Sequence, residues 1–281
     1  MLKQRVMTAI VLLLVLLPAL FYSSPVPFCA VALVLIAAAA WEWARLNGYG
    51  QSASIQSGIA CVLVCTASWL IGLLEQTLTY LWAVAGVGWV FVGSWVLRRG
   101  VSAWSGHSRP MRLVAGLLAL WIAWLAVAQA RVIGINLLLS ILILVWVADI
   151  SAYFVGRAFG GRFSRGKLAP SISPGKSWEG VWGGMTGVCA LAFVWQWVDS
   201  AWAMAVPSLF GRLGMKNGLL LLVCALFLAA MSVVGDLFES LVKRSAGVKD
   251  SSGLLPGHGG VLDRIDALLP ALPLAMLLYS V

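Results

Sequence analysis

Nine stretches of this chain, at roughly 6–22, 26–45, 55–74, 79–97, 112–130, 133–156, 178–198, 218–240 and 262–280, run for about 20 positions with hardly a charged residue. No other feature narrows the fold as far. A helix rising about 1.5 Å per residue crosses the ~30 Å hydrocarbon core of a bilayer in about 20 residues and satisfies its own backbone on the way. Composition agrees. With 62% apolar residues, 10% charged and a mean hydropathy of +0.97, the 281 residues carry too little polar surface to cover a water-soluble fold. No segment alternates in the manner of a membrane barrel strand. The expected fold class is all-α, a polytopic helical membrane protein with about nine transmembrane helices. The first run follows Lys3 and Arg5 but lacks a clear A-x-A site and leads directly into more spans, so it reads as a retained anchor.

Lysine and arginine set the orientation. With the N-terminus in the cytoplasm, 16 of the 19 basic residues fall inside, and only Arg131, Arg212 and Lys216 fall outside. The expected location is the cell inner membrane, with the N-terminus and the polar loops facing the cytoplasm. The net charge of +9 is mostly this bias, so nucleic acid is not an expected partner. The five cysteines all lie in apolar runs without a C-x-x-C pair; Cys61 and Cys65 share a helix face, where small packed residues are the simpler reading.

Polarity divides the chain into an N-terminal transmembrane region, 1–131, with about five helices, and a more polar transmembrane region, 132–281, with about four. In the first, Glu42 and Glu75 are the only acids. Glu42 stands three residues before Arg45 near a helix end, which suggests an interfacial or locally paired side chain. His107, in a loop with Arg98, Arg99, Arg109 and Arg112, reads as solvated, in a patch suited at most to anionic lipid headgroups.

The second region holds two polar segments, 147–184 and 235–266. Asp236, Glu239, Ser240 and Lys243 stand at i, i+3, i+4 and i+7, one stripe of a helix, and Asp149, Ala152, Tyr153 and Gly156 repeat that spacing. Asp149 lies eight residues before Arg157 and Asp236 seven before Lys243. Both carboxylates therefore sit about 10–12 Å deeper than the first base on their helix. An acid at such depth costs on the order of 2–3 kcal/mol, which favours a polar cavity over a pair of structural salt bridges. Asp236, Asp263 and Asp149 are hard oxygen donors, suited to Mg²⁺; Asp263, at the start of the ninth run, reads equally well as a helix-capping acid. Lys167, Lys176, Lys243, Arg244, Lys249 and Arg264 supply positive charge at the same mouth. Acids beside many bases are the mixture that a metal–polyphosphate complex requires. Glycines in Ser173-Pro-Gly-Lys-Ser177 and Pro256-Gly-His-Gly-Gly260 let backbone amides approach an anion. Gly161 to Lys167 has P-loop spacing, but Leu168 stands where Ser or Thr is needed, and a membrane helix precedes it.

These residues alone reach a metal-dependent site for phosphorylated substrates and do not name the reaction. The stretch Ser240-x-Val242-Lys243-Arg244, Lys249-Asp250, Leu255-Pro256-x-His258-Gly259-Gly260-Val261-x-Asp263-Arg264-Ile265-Asp266 resembles the signature of phosphatidate cytidylyltransferases, or CDP-diacylglycerol synthases. Upstream, Asp149-x-x-Ala152-Tyr153, Lys167-Leu168-Ala169-Pro170 and Ser173-Pro174-Gly175-Lys176-Ser177-Trp178-Glu179-Gly180 look like the same family. The likeness covers roughly residues 145–281, and nothing functional carries over to the first five spans.

The resemblance implies that CTP and phosphatidic acid are converted to CDP-diacylglycerol and pyrophosphate, with membrane lipids as surroundings and a homodimer as an assembly to consider. It implies Asp236 and Asp263 as Mg²⁺ ligands, and Lys243, Arg244 and Arg264 with them as the reacting centre. Lys176 and Lys249 would join the bases on phosphate. Asp149, Glu179 and Asp250 would orient lysines or hold a second cation, and Asp266 would order Arg264 or the metal's surroundings. Tyr153, Lys167, Ser173, Ser177, Ser240, Gly259 and Gly260 complete the expected substrate contacts, and His258 either orders its loop or meets pyrophosphate. The competing readings are a CTP-dependent lipid kinase and a transporter for an anionic solute; a bare scaffold leaves the buried acids unexplained.

Overall fold

The computed structural model describes residues 2–164 and 166–281; Arg165 and the side chain of Lys3, counted above among the basic residues, lie outside that description. Among the described residues, eight helices are long and apolar enough to cross a bilayer. They are α1 (Leu2–Phe21), α2 (Val26–Leu46), α3 (Gln51–Leu70), a rod over Thr79–Arg99, α7 (Arg109–Ile133), α8 (Ile135–Phe159), α9 (Trp178–Ala201) and α11 (Gly218–Ser245). The rod comprises α4 (Thr79–Val87), a π-helical turn at Gly88–Gly93 and α5 (Ser94–Arg99). Gly100, at φ +79°, ends it and starts the short α6 (Val101–Gly106). α10 (Leu209–Lys216) is a short helix before α11. Ser177, Ser208 and Asn217 cap α9, α10 and α11, each side-chain oxygen accepting an amide hydrogen of the first turn.

Large apolar side chains such as Leu14, Leu63, Phe91 and Phe154 point outward, as lipid-facing surfaces require. The interior is aromatic. Trp43 stacks on Phe238 at 6.3 Å and meets Trp104 edge-on at 5.9 Å. His107 is less solvated than its loop suggested, since Nδ1 sits 2.8 Å from the Ala103 carbonyl and the ring packs on Trp95 and Trp104.

Two departures from the apolar pattern build the site. Between α8 and α9 the chain forms a hairpin of β1 (Lys167–Ala169) and β2 (Ser173–Ser177), antiparallel with Lys167 opposite Ser177. The ninth apolar run forms one helical turn, α12 (Leu262–Ile265), and then α13 (Leu268–Ser280), whose 13 residues span only about 20 Å. The remaining depth is taken by the polar loop, which folds back into the bundle. The Asp266 carbonyl packs on Gly235, ten residues and about 15 Å before the end of α11. At its far end, α13 lines a cavity with Leu74, Gln129 and Arg212 at the opposite face of the bundle. The crossing is made by a dipping loop and a half-length helix whose residues Leu269–Met276 are all buried.

Candidate active site

Small residues let α8 and α9 approach closely. Gly180 and Gly184 of α9 pack on the carbonyls of Ala152 and Ala148, and a Cβ at Gly184 would lie 2.9 Å from the Ala148 oxygen. Where these helices open toward α11, they enclose a cavity of about 340 Å³. Asp149, Tyr153 and Arg157 of α8, Lys176 and Ser177 of β2, and Asp236 of α11 line it. Asp149 lies ten residues and Asp236 nine from the ends of their helices, so both acids sit about 14–15 Å into the bundle. Tyr153 is exposed, as are Ile150, Phe154, Trp178 and Trp182 beside it, so the cavity borders an apolar outer surface.

Of the two deep acids, Asp236 has a lysine partner, and a second lysine serves Glu239 and Asp263. The Lys176 ammonium contacts Asp236 Oδ2, while the Ser240 hydroxyl donates to Oδ1 at 3.3 Å. Lys243 sits 2.5 Å from both Glu239, one turn earlier, and Asp263 of α12. Asp236 does not pair with Lys243, seven residues further along its own helix; the hairpin supplies its partner instead.

Asp263 is bound on every side. Beyond Lys243 it accepts from the Ser251 amide (2.9 Å), the Ser251 hydroxyl (2.8 Å) and the Gly260 amide (2.7 Å). Arg264 donates to the His258 carbonyl through Nε at 3.1 Å and Nη2 at 2.5 Å. Gly257 and Gly259 turn this loop at φ +77° and +86°. Arg244 ties the end of α11 to the hairpin, donating to the Ile172 carbonyl at 3.2 Å. Ser177 lines the cavity and caps α9 at once.

Glu179 stands elsewhere. It is buried behind the cavity, and Oε1 accepts from the amides of Phe163 and Ser164 and from the Ser164 hydroxyl, which anchors the loop after α8. Lys167, Lys249 and Asp250 are exposed and do not line the cavity, and Ser173 and His258 are half-buried.

Glu42 is the residue that sequence reasoning misplaced. It makes no pair with Arg45, which lies over the Trp41 ring at 4.6 Å. Its buried carboxylate instead receives hydrogen bonds from the loop at 251–262. Glu239 and Arg157 were also passed over, although Glu239 lies on the Asp236–Lys243 stripe and Arg157 follows Asp149 by two turns.

Magnesium prefers oxygen donors, one or two from carboxylates and the rest from phosphates and water. Asp149 and Asp236, which line one cavity, and Asp266, whose carbonyl packs on Gly235 beside Asp236, offer such oxygens. Among the described residues no three acidic, histidine or cysteine side chains converge on one point. This donor set fits an ion that completes its coordination with substrate phosphate.

Residues 3–281 match the model of the cytidylyltransferase family. The chain belongs to that family. A phosphatidate cytidylyltransferase of Pseudomonas aeruginosa is 41% identical over 287 residues, covering 100% of this chain and 98% of its own length. That of Haemophilus influenzae is 38% identical over 99% of each chain. A third, from Thermotoga maritima, is 41% identical over 143 residues, 51% of this chain. The family likeness thus reaches the N-terminal helices, beyond the segment that carries the signature.

Proposed function

We propose that this cytidylyltransferase-family enzyme joins CTP to phosphatidic acid, forming CDP-diacylglycerol and pyrophosphate in phospholipid biosynthesis. The full-length likeness to phosphatidate cytidylyltransferases supports this reading. The observation that carries it is a cavity lined by Asp149, Asp236, Lys176 and Arg157, its acids about 15 Å into the bundle, bordering a lipid-facing surface. A lipid phosphate can reach it sideways from the bilayer while the nucleotide enters from the polar loops. A site for a soluble substrate needs no such depth.

The chemistry asks little beyond placement. A phosphate oxygen of the lipid attacks the α-phosphorus of CTP, the bond from that phosphorus to the bridging oxygen breaks, and pyrophosphate leaves with the electron pair. The nucleophile is already an anion, so no strong base is needed; positioning and charge neutralisation supply the rate. Lys176 and Lys243 exchange their carboxylates for phosphate oxygens, and Arg157 and Arg264 add charge beside them. Asp236 would hold Mg²⁺ with Asp149 and Asp266 near, and Asp263, taken up here by Lys243, Ser251 and Gly260, would join it as Lys243 turns to phosphate; when bound, the ion would neutralise phosphate charge as it builds up. The family's inner-membrane, cytoplasm-facing placement of the site is supported by the 16 of 19 basic residues at that end.

The test is product identification with purified protein, CTP and phosphatidic acid vesicles. Pyrophosphate release that needs both substrates, stops with EDTA and returns with Mg²⁺ is the expected result. Release of CDP with a phosphorylated lipid supports the kinase, and no product at all refutes transfer.

A further inference from the structure

Glu42 is fully buried, at 0% exposure, in α2, and no basic side chain pairs with it among the described residues. Four donors hold its charge. Oε1 accepts from the Ser252 hydroxyl (2.5 Å) and the Val261 amide (3.0 Å), and Oε2 from the Leu262 amide (2.7 Å) and the Ser251 hydroxyl (3.2 Å). Two of these groups lie at the start of the loop and two at its end, so a single carboxylate from the N-terminal half pins both ends together. Ser251 passes the connection on: its single hydroxyl hydrogen is shared between Glu42 and Asp263, and its amide donates to Asp263, which meets Lys243 of α11. The second glycine of the Gly259-Gly260 pair is explained by the same contact. A Cβ at Gly260 would overlap the Ser251 hydroxyl and the Glu42 carboxylate.

We infer that Glu42 is a positioning residue for cytidylyl transfer: it fixes the loop that carries Asp263 and Arg264, and so the Lys243 that Asp263 holds two turns beyond Asp236 of the cavity wall. This rests on the function proposed above. A buried charge with four donors and no counter-ion is costly to keep for packing alone, since an apolar side chain fills a helix contact more cheaply. Its geometry is unforgiving too. Glu42→Gln puts an NH₂ group against donors that need an acceptor, and Glu42→Asp is about one methylene too short to reach both loop ends.

The experiment measures kcat and both KM values for the full-length protein with CTP and phosphatidic acid, alongside the thermal unfolding midpoint. Inactive wild-type protein would count against the proposed function itself; an active wild type isolates the present inference. Glu42→Gln that stays folded is expected to lose about 100-fold in kcat, with KM for phosphatidic acid changed less than threefold. Glu42→Gln with kcat within threefold of wild type overturns the inference. Should that variant not fold, Ser252→Ala removes one donor only: an unchanged midpoint with kcat down at least threefold supports it, and an unchanged kcat overturns it. Combining Glu42→Gln with Gly260→Ala should cost no more than the worse single change, because both disturb one contact; additive losses contradict the shared role.

Discussion

Lys243 and Lys176 both neutralise an acid, yet their surroundings differ. Lys243 is 12% exposed between Glu239 and Asp263, which are 1% and 6% exposed, whereas the Lys176–Asp236 pair is 28% exposed on each side. Removing one partner of a buried pair costs roughly 3–5 kcal/mol, while a partly hydrated pair is worth about 0–1. Lys243→Ala is therefore expected to abolish turnover and lower the unfolding midpoint by several degrees. Lys176→Ala should abolish turnover with little change in the midpoint. A thermal melt of each variant beside an activity assay checks the contrast; equal melts would refute the difference in burial. The residues of the signature and of Ser173–Ser177 were legible because they are polar where the chain is otherwise apolar. Glu42 was not, since Arg45 offered a local partner and the true one lies 209 residues away.

At the scale of elements, the pairing of α8 and α9 decides the width of the cavity. Gly184 faces the Ala148 carbonyl with no room for a branched side chain, and it also lines the cavity. Gly184→Val should force the helices apart at a cost of roughly 1–3 kcal/mol and lower kcat/KM for phosphatidic acid at least tenfold. Wild-type kinetics in that variant would mean that the cavity tolerates widening. Helix positions followed from apolar runs, because only a helix closes its own hydrogen bonds in hydrocarbon. The short hairpin did not, since Pro174 and Gly175, which spell a turn, lie within its five-residue second strand. Nor did the division of the last run, where hydropathy cannot tell a full crossing from a half-length helix buried on all sides.

Across the whole molecule, the N-terminal helices are part of the site. Besides Glu42, α1 contributes Arg5, whose Nε donates to the Gly257 carbonyl, and Thr8, whose hydroxyl donates to that of Pro256, both at 2.9 Å. These bonds are exposed and each is worth about 1 kcal/mol or less. Arg5→Ala with Thr8→Ala should reduce kcat less than about fivefold, well short of the loss expected for Glu42→Gln. A larger loss in steady-state assays would show that α1, rather than α2, dominates loop placement. The fold class was readable from composition and run length, but the division at residue 131 hid how the halves meet. The contact lies between one acid and a loop, and no periodicity records it.

We propose that the deep acids beneath the polar loops serve transfer of a cytidylyl group to lipid. Incubating wild-type protein and Asp236→Asn with phosphatidic acid and CTP labelled at the α-phosphorus tests it most directly. Label is expected to move into the lipid with wild type and to stay in water with a folded Asp236→Asn. Label that stays in water with wild type, or that reaches the lipid equally well with Asp236→Asn, contradicts it.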